Sequence, residues 1–360
     1  KIHYNLGLVH RDLGHLLEAE DCFRRAELLG YDKADLRWDH ALLDLLQGKL
    51  EKGFIGFEAR WQLEDCHPHF PEIPIWKGAP LVGQVLMVYA EHGIGDAIQF
   101  ARYLPYLHDK AETIVFYCDP SIKRLIQSSP DSRDVSVYGF GEELPEDIDA
   151  VIPLLSLPRV LGTTSETIPA KTPYLAAPET DVPAINKTGL SRLRVGLVWS
   201  GDIHHKNDTN RSIDLGYFSQ ILDLPNIQFY SFQVGPRESD LHENCFDPVI
   251  RNLAPHIRDF ADTARLIKDM DLIISVDTAV AHLAGALNVP VWTLLPFAPD
   301  WRWQMVRGDS PWYPSMSLIR QTSPGDWREV IHRVRNRLIG LLHDTEEMVE
   351  LELSDHDSTD

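Results

Sequence analysis

The sequence predicts an α/β protein: two doubly wound halves, each a parallel sheet with helices on both faces, preceded by an all-α segment. Three observations carry this. Apolar runs rich in β-branched residues alternate with stretches of helical periodicity from residue 83 to residue 343, the pattern of repeated βαβ units. The first sixty or so residues instead repeat themselves at helical spacing, and two proline-rich stretches separate the three parts. The expected divisions are an all-α segment over 1–64, a linker over 65–82, a first half over 83–178, a linker over 179–194, a second half over 195–343 and an acidic tail over 344–360.

In the amino-terminal segment Gly7 aligns with Ala41, Gly14 with Gly48, Ala19 with Gly53 and Phe23 with Phe57, each pair 34 positions apart. That is the period of the tetratricopeptide repeat, and the segment resembles one good repeat followed by a weaker one. Small residues stand where helices cross closely, and phenylalanine fills the gap beside them. Such repeats need about three copies to stand alone. The two here therefore pack on the following domain or end a longer array cut off before Lys1, and their surface either caps that domain or binds a peptide or acceptor protein.

Pro68, Pro71, Pro74 and Pro80 keep the first linker extended. A strand is expected over 84–90, a helix over 97–107, strands over 113–117 and 135–138, and a helix over 121–127. Between the first strand and helix lies Glu91-His92-Gly93-Ile94-Gly95-Asp96. A third glycine is missing, as is an acidic residue about twenty positions on, so a nicotinamide or flavin site is not expected. Gly95 and its neighbour let Asp96 stand on a tight strand-to-helix turn, where it is a candidate base and also a candidate cap for a helix starting at Ala97.

The second half is expected to run strand 195–199, helix 214–222, strand 227–233, helix 262–270, then a compressed strand, helix, strand unit over 271–292, and a closing helix over 325–342. Asn288 closes the helix of that unit and Pro290 prevents its continuation. The turn Asp277-Thr278 falls where the strand's carboxyl end meets the helix amino end, so free N–H groups point outward and suit an anion such as phosphate.

A net charge of −20 argues against nucleic acid or an anionic membrane as principal partner. Part of the excess lies in the tail over 344–360, which lacks Lys and Arg and is expected to be loosely ordered. No stretch reaches transmembrane length and no signal peptide opens the chain. Four dispersed cysteines without a C-x-x-C pair fit a reducing compartment, and a cytoplasmic location is expected. Cys66-His67-Pro68-His69 has no second cluster at ligand spacing, so no metal site is expected.

Two doubly wound halves, the Gly95-Asp96 turn, and the runs VGLVWSG (195–201), KNDTNRSI (206–213), SVDTAVAHLAGAL (275–287) and LLPFAPDWRW (294–303) resemble glycosyltransferase family nine, the heptosyltransferases, with GT-B architecture. Together with the repeats, they resemble bacterial tetratricopeptide proteins carrying such a domain. The resemblance implies inverting, metal-independent transfer of a sugar from a nucleotide diphosphate sugar, with no cofactor and with the ligand between the halves. It maps the base onto Asp96, the diphosphate site onto Asp277, Thr278, Ala279 and His282, and the phosphate-binding cations onto Lys206 and Arg211. Ala279 stands where the family usually has glycine. Trp199, Ser200, Gly95, Asp300 and Trp301 are candidates for nucleobase or sugar contacts. The implied partners are a nucleotide sugar and an acceptor protein or glycan recruited by the repeats. Two other functions suit the same architecture: a sugar-nucleotide epimerase, and a scaffold whose transferase half has decayed.

Overall fold

The computed structural model describes residues 1–186 and 193–357. Lys1–Pro178 and Ala298–Pro314 form one compact unit, and Glu179–Phe297 with Ser315–Asp360 form the other.

The first unit opens with two helical hairpins, α1 (Ile2–Asp12) with α2 (Leu16–Leu28), and α3 (Ala34–Leu46) with α4 (Leu50–Phe57). Gly14 and Gly48 break the chain at equivalent points in left-handed backbone, φ 78° and 79°, which a side chain would strain. Ala19, Phe23 and Ala26 of α2 bury against Leu36 and Leu43 of α3, so the two hairpins share one core. A tight turn, Glu58–Gln62, ends the helices. The proline-rich stretch turns at Pro71-Glu72 and then meets the sheet: Ile75 pairs with Val151, and Trp76 N–H donates to the Val151 carbonyl at 2.8 Å.

The strands of this unit are β1 (Leu81–Tyr89), β2 (Ala111–Cys118), β3 (Val135–Gly139) and β4 (Ala150–Pro153), all parallel in the order β3-β2-β1-β4. Helix α5 (Ile94–Phe100) follows β1 and tightens into a 3₁₀ stretch over Ala101–Leu107, where Pro105 cannot supply an N–H. Helix α6 (Pro120–Ser128) starts on an Asp119 cap, and α7 (Leu157–Val160) is a single turn after β4.

The second unit contains β5 (Leu193–Val198), α8 (Asp208–Arg211), β6 (Ile227–Ser231), α9 (Asp240–Glu243), β7 (Ile250–Asn252), α10 (Phe260–Ile267), β8 (Leu272–Val276), α11 (Ala279–Ala286), β9 (Val291–Leu295), β10 (Met316–Arg320) and α12 (Trp327–Asp357). Its six strands are parallel in the order β10-β9-β8-β5-β6-β7. Val195, Leu197, Ile274, Val276 and Leu294 of the central strands bury against Val330, Ile331, Val334 and Leu338 of α12.

The parallel sheets match expectation, and several details differ. The sequence reading passes over β4, β7 and β10: β4 is four residues ending in proline, β7 is three, and β10 is five with Ser317 and Arg320 among its apolar residues. The helix expected over 214–222 is a 3₁₀ turn, Leu215–Gln220, because Gly216 lies in its first turn and Pro225 soon follows. The helical segment is not a domain by itself, and residues 298–314 join the first unit rather than the second. The reason is aromatic packing: Trp301 lies edge-on to Phe54 and Phe57 at ring distances of 5.7 and 6.4 Å. The acidic stretch was expected to be loose, yet α12 continues through it to Asp357, consistent with its Glu, Leu and Met content.

Candidate functional site

The strand order of the second unit reverses between β8 and β5, and their carboxyl ends lie side by side. Open α/β sheets bind ligands at such a point. After β5, Gln233 Oε1 accepts the N–H groups of Trp199 and Ser200 at 3.2 and 3.0 Å, which fixes the turn. Trp199 is fully buried and spends its indole N–H on Asp240 at 2.8 Å, so its ring belongs to the core. Ser200 is buried beside Ser212, whose hydroxyl accepts the Gly201 N–H at 3.1 Å and lies 2.7 Å from Asp208 Oδ1.

Arg211, on the last turn of α8, reaches across to β8. Its Nη1 donates to the Asp277 carbonyl at 3.2 Å, and its Nε lies 3.6 Å from Asp208 Oδ1. A Cβ on Gly201 would stand 2.5 Å from Arg211 Nη2, so only glycine lets the guanidinium lie against this backbone. Lys206 stands exposed on the turn before α8.

Thr278 is the last extended residue before α11, φ −140°, and its hydroxyl lies 3.0 Å from buried Ser275 Oγ rather than capping the helix. The N–H groups of Ala279 and Val280 precede the first intrahelical bonds, which begin at Ala281. His282, one turn on, is 4% exposed, with Nε2 4.0 Å from Asp277 Oδ1. The structure thus brings together Arg211, Asp277, Thr278, Ala279 and His282.

In the first unit the order reverses between β1 and β4, and the carboxyl end of β1 carries the loop to Asp96. The left-handed residue of this turn is His92, φ 61°, and not a glycine. Helix α5 begins at Ile94 rather than Ala97, which makes Gly93 the N-cap and puts Asp96 in the third helical position beside Gly95. Asp96 Oδ2 accepts the Gly93 N–H at 2.9 Å. The carboxylate therefore does cap its helix, but from inside the first turn.

The other oxygen of Asp96 accepts from Arg302 Nη2. Arg302 also donates from Nη1 to Asp300 Oδ1 at 2.8 Å and from Nε to Gln99 Oε1 at 2.6 Å, while its plane lies over Trp301, 4.3 Å from the ring centroid. Asp300 Oδ1 further accepts the Arg302 N–H at 3.0 Å, and Trp301 is 6% exposed. Of the five residues expected to meet a base or sugar, Asp300 is engaged inside the first unit by Arg302 and Trp301 by aromatic packing. Sequence reasoning missed Arg302 and Gln99. The available signal was a cation between two tryptophans in Trp301-Arg302-Trp303, a composition that does not suit a solvated loop.

Behind this loop lies a second missed network. Fully buried Arg60 donates from Nη2 to Glu91 Oε1 and Ser156 Oγ, both at 2.8 Å, and from Nη1 to Glu58 Oε1 at 3.0 Å. Glu91 Oε1 also accepts the Leu155 N–H across the strand reversal at 3.2 Å. Burial pushes the Glu91 carboxyl up to about 7, against the opposing pull of Arg60.

Residues 238–335 match the family model described as Glycosyltransferase family 9 (heptosyltransferase). Over that stretch the chain is similar to glycosyltransferase family 9. The matched stretch contains Asp277, Thr278, Ala279, His282, Asp300 and Trp301, and does not reach Asp96, Lys206 or Arg211. Over 378 residues the chain is 23% identical to Protein FlbA of Caulobacter vibrioides, an alignment spanning 94% of this chain and 61% of that protein. The chain thus spans about three fifths of the length of its curated relative. Among solved structures, it is similar to E. coli ADP-heptose lps heptosyltransferase II, with TM-score 0.50, 16% identity, and 73% of this chain and 100% of that chain covered. It is also similar to the glycosyl transferase family 9 from Veillonella parvula, with TM-score 0.46, 11% identity, and coverage of 68% and 88%. The fold is mixed α/β with parallel sheets, like that of GT-B heptosyltransferases. No helix among the described residues is long and apolar enough to cross a membrane.

Proposed function

We propose that the protein transfers a sugar from a nucleotide diphosphate sugar to a hydroxyl acceptor, with inversion and without a metal. The observation that carries the proposal is Arg211 bound to the Asp277 carbonyl, which sets a fixed cation beside the open N–H groups of α11. A diphosphate held there meets the helix dipole, the free N–H groups of the first turn and a guanidinium together. Thr278 and His282 add hydroxyl and imidazole contacts, and exposed Lys206 closes over the phosphates as a second cation.

In this reaction Asp96 takes the acceptor hydroxyl's proton as its oxygen attacks the anomeric carbon. The bond from that carbon to the diphosphate breaks on the opposite face, and the leaving group's charge falls on Arg211, Lys206 and the start of α11. The amino-terminal hairpins, as tetratricopeptide-like repeats, present the acceptor protein or glycan. The family match over 238–335 and the heptosyltransferase-like fold support a glycosyltransferase, and the geometry of α11 supports a diphosphate donor.

The test is calorimetric titration of the full chain with ADP, GDP and UDP, with and without magnesium, beside a variant carrying Asp277→Ala and Thr278→Ala. The expected result is micromolar binding of one nucleotide, unchanged by magnesium and weakened at least tenfold in the variant. Absence of binding by all three would overturn the donor site.

A further inference from the structure

Asp96 does not stand alone as a base would in a bare pocket. One of its oxygens is taken by the Gly93 N–H and the other by Arg302, a cation that cannot be discharged. A carboxylate so held is well aimed, yet protonating it strands the guanidinium. Arg302 is 8% exposed, and a buried arginine deprived of its partner is costly. The structure holds the remedy in the same fork, because Nη1 of Arg302 is bound to Asp300 Oδ1 at 2.8 Å while Nε is anchored on Gln99. Two carboxylates therefore share one guanidinium, whose ring contact with Trp301 fixes its plane.

We propose that Arg302 and Asp300 are positioning residues for Asp96. Arg302 sets the direction of the Asp96 carboxylate, and Asp300 keeps the guanidinium paired once Asp96 has taken the acceptor's proton. The inference rests on Asp96 as the base of the proposed transfer. The proton passes from the acceptor hydroxyl to Asp96, the acceptor oxygen bonds to the anomeric carbon, and the diphosphate leaves with the electron pair of the broken bond. Across that step the trio of two carboxylates and one guanidinium goes from one net negative charge to none, and Arg302 has a carboxylate partner throughout. The other charged or titratable groups near the loop are His92 on the loop itself, Arg60 and Glu91 behind it, and His69 from the proline-rich stretch.

The test follows the Asp96 carboxyl carbon by ¹³C NMR through a pH titration of the full chain labelled at aspartate, with the signal assigned by its loss in Asp96→Asn. Asp300→Asn is expected to move the Asp96 midpoint to lower pH by half a unit or more, because the negative charge of Asp300 no longer shares the guanidinium with Asp96. Arg302→Met is expected to move it to higher pH by at least as much. Arg302→Lys keeps the charge without the fork, and is expected to hold the midpoint nearer that of the parent than Met does. Thermal unfolding of the same variants reports any purely structural effect and does not predict these opposite directions. Midpoints that stay put in Asp300→Asn and Arg302→Met would overturn the inference. A separate assay of nucleoside diphosphate release from ADP-glucose, GDP-mannose and UDP-N-acetylglucosamine, with water as acceptor, compares Asp96→Asn with the parent. Turnover retained in that variant removes the base itself, whatever the midpoints show.

Discussion

Glu91 and Asp96 lie five positions apart on one loop and meet opposite surroundings. Asp96 keeps part of its surface in solvent and pairs with Arg302, whereas Glu91 is buried against Arg60 and its carboxyl is pushed up from 4.5 to about 7. Between those two values the folded chain holds a proton on Glu91 that the unfolded chain has released. The folded state then binds more protons than the unfolded state, so this group's contribution to stability falls as pH rises from about 4.5 to about 7 and is level above that. The full swing is of order 3 kcal/mol. Urea unfolding at pH 5 and pH 8 checks it: Glu91→Gln is expected to remove the part of the slope that the parent shows over this range, and an unchanged slope would place the titration elsewhere. At this scale the sequence displays Asp96, Asp277, Thr278 and His282, because each sits at a strand-to-helix junction whose local pattern is readable. Arg302 and Arg60 were not legible. Their partners lie 206 and 31 positions away, and periodicity carries no information about which buried cation meets which carboxylate.

The elements were read most securely where one signal is repeated. Strand β8, helix α11 and the start of β9 fall in the expected order within the 271–292 unit, since an apolar strand, a small-residue helix and the Asn288-Val289-Pro290 stop agree with one another. Edge strand β7, three residues long, carries too few residues for any period to show, and in edge strand β10 Ser317 and Arg320 interrupt the apolar run. In the hairpins, the 34-residue alignment gives both glycine breaks and the shared core. Phe23 is the test of that core, being fully buried between α1, α2 and α3. Phe23→Ala is expected to cost about 3–5 kcal/mol. The loss should appear in urea unfolding of the first unit, and a cost below about 1 kcal/mol would mean that the hairpins contribute little to its core.

On the scale of the molecule, the expected order of segments along the chain differs from the order of packing. The hairpins and residues 298–314 belong to the same compact unit as the first sheet, so the helical segment is part of the foundation of the Asp96 loop. A chain beginning at residue 65 loses Arg60 from beside Glu91 and removes Phe54 and Phe57 from Trp301. Breaking the buried ion pair alone costs about 3–5 kcal/mol. Hydrogen exchange on that shortened chain is expected to show protection lost over β1, β2 and α5 and retained over β5 and β8. Full protection of β1 and α5 would show that the helices are a detachable module.

The pairing of Asp96 with Arg302 also has a consequence for biosynthesis. The two residues are 206 positions apart in the sequence. At about 5–20 residues per second, a ribosome adds the second roughly 10–40 s after the first. Once Pro153 is made every strand of the first sheet exists, yet for the rest of that interval the nascent first unit lacks Arg302 for its acidic loop and Trp301 for Phe54 and Phe57. Its last apolar slot waits open during translation, a surface for a chaperone to hold until residues 298–314 arrive.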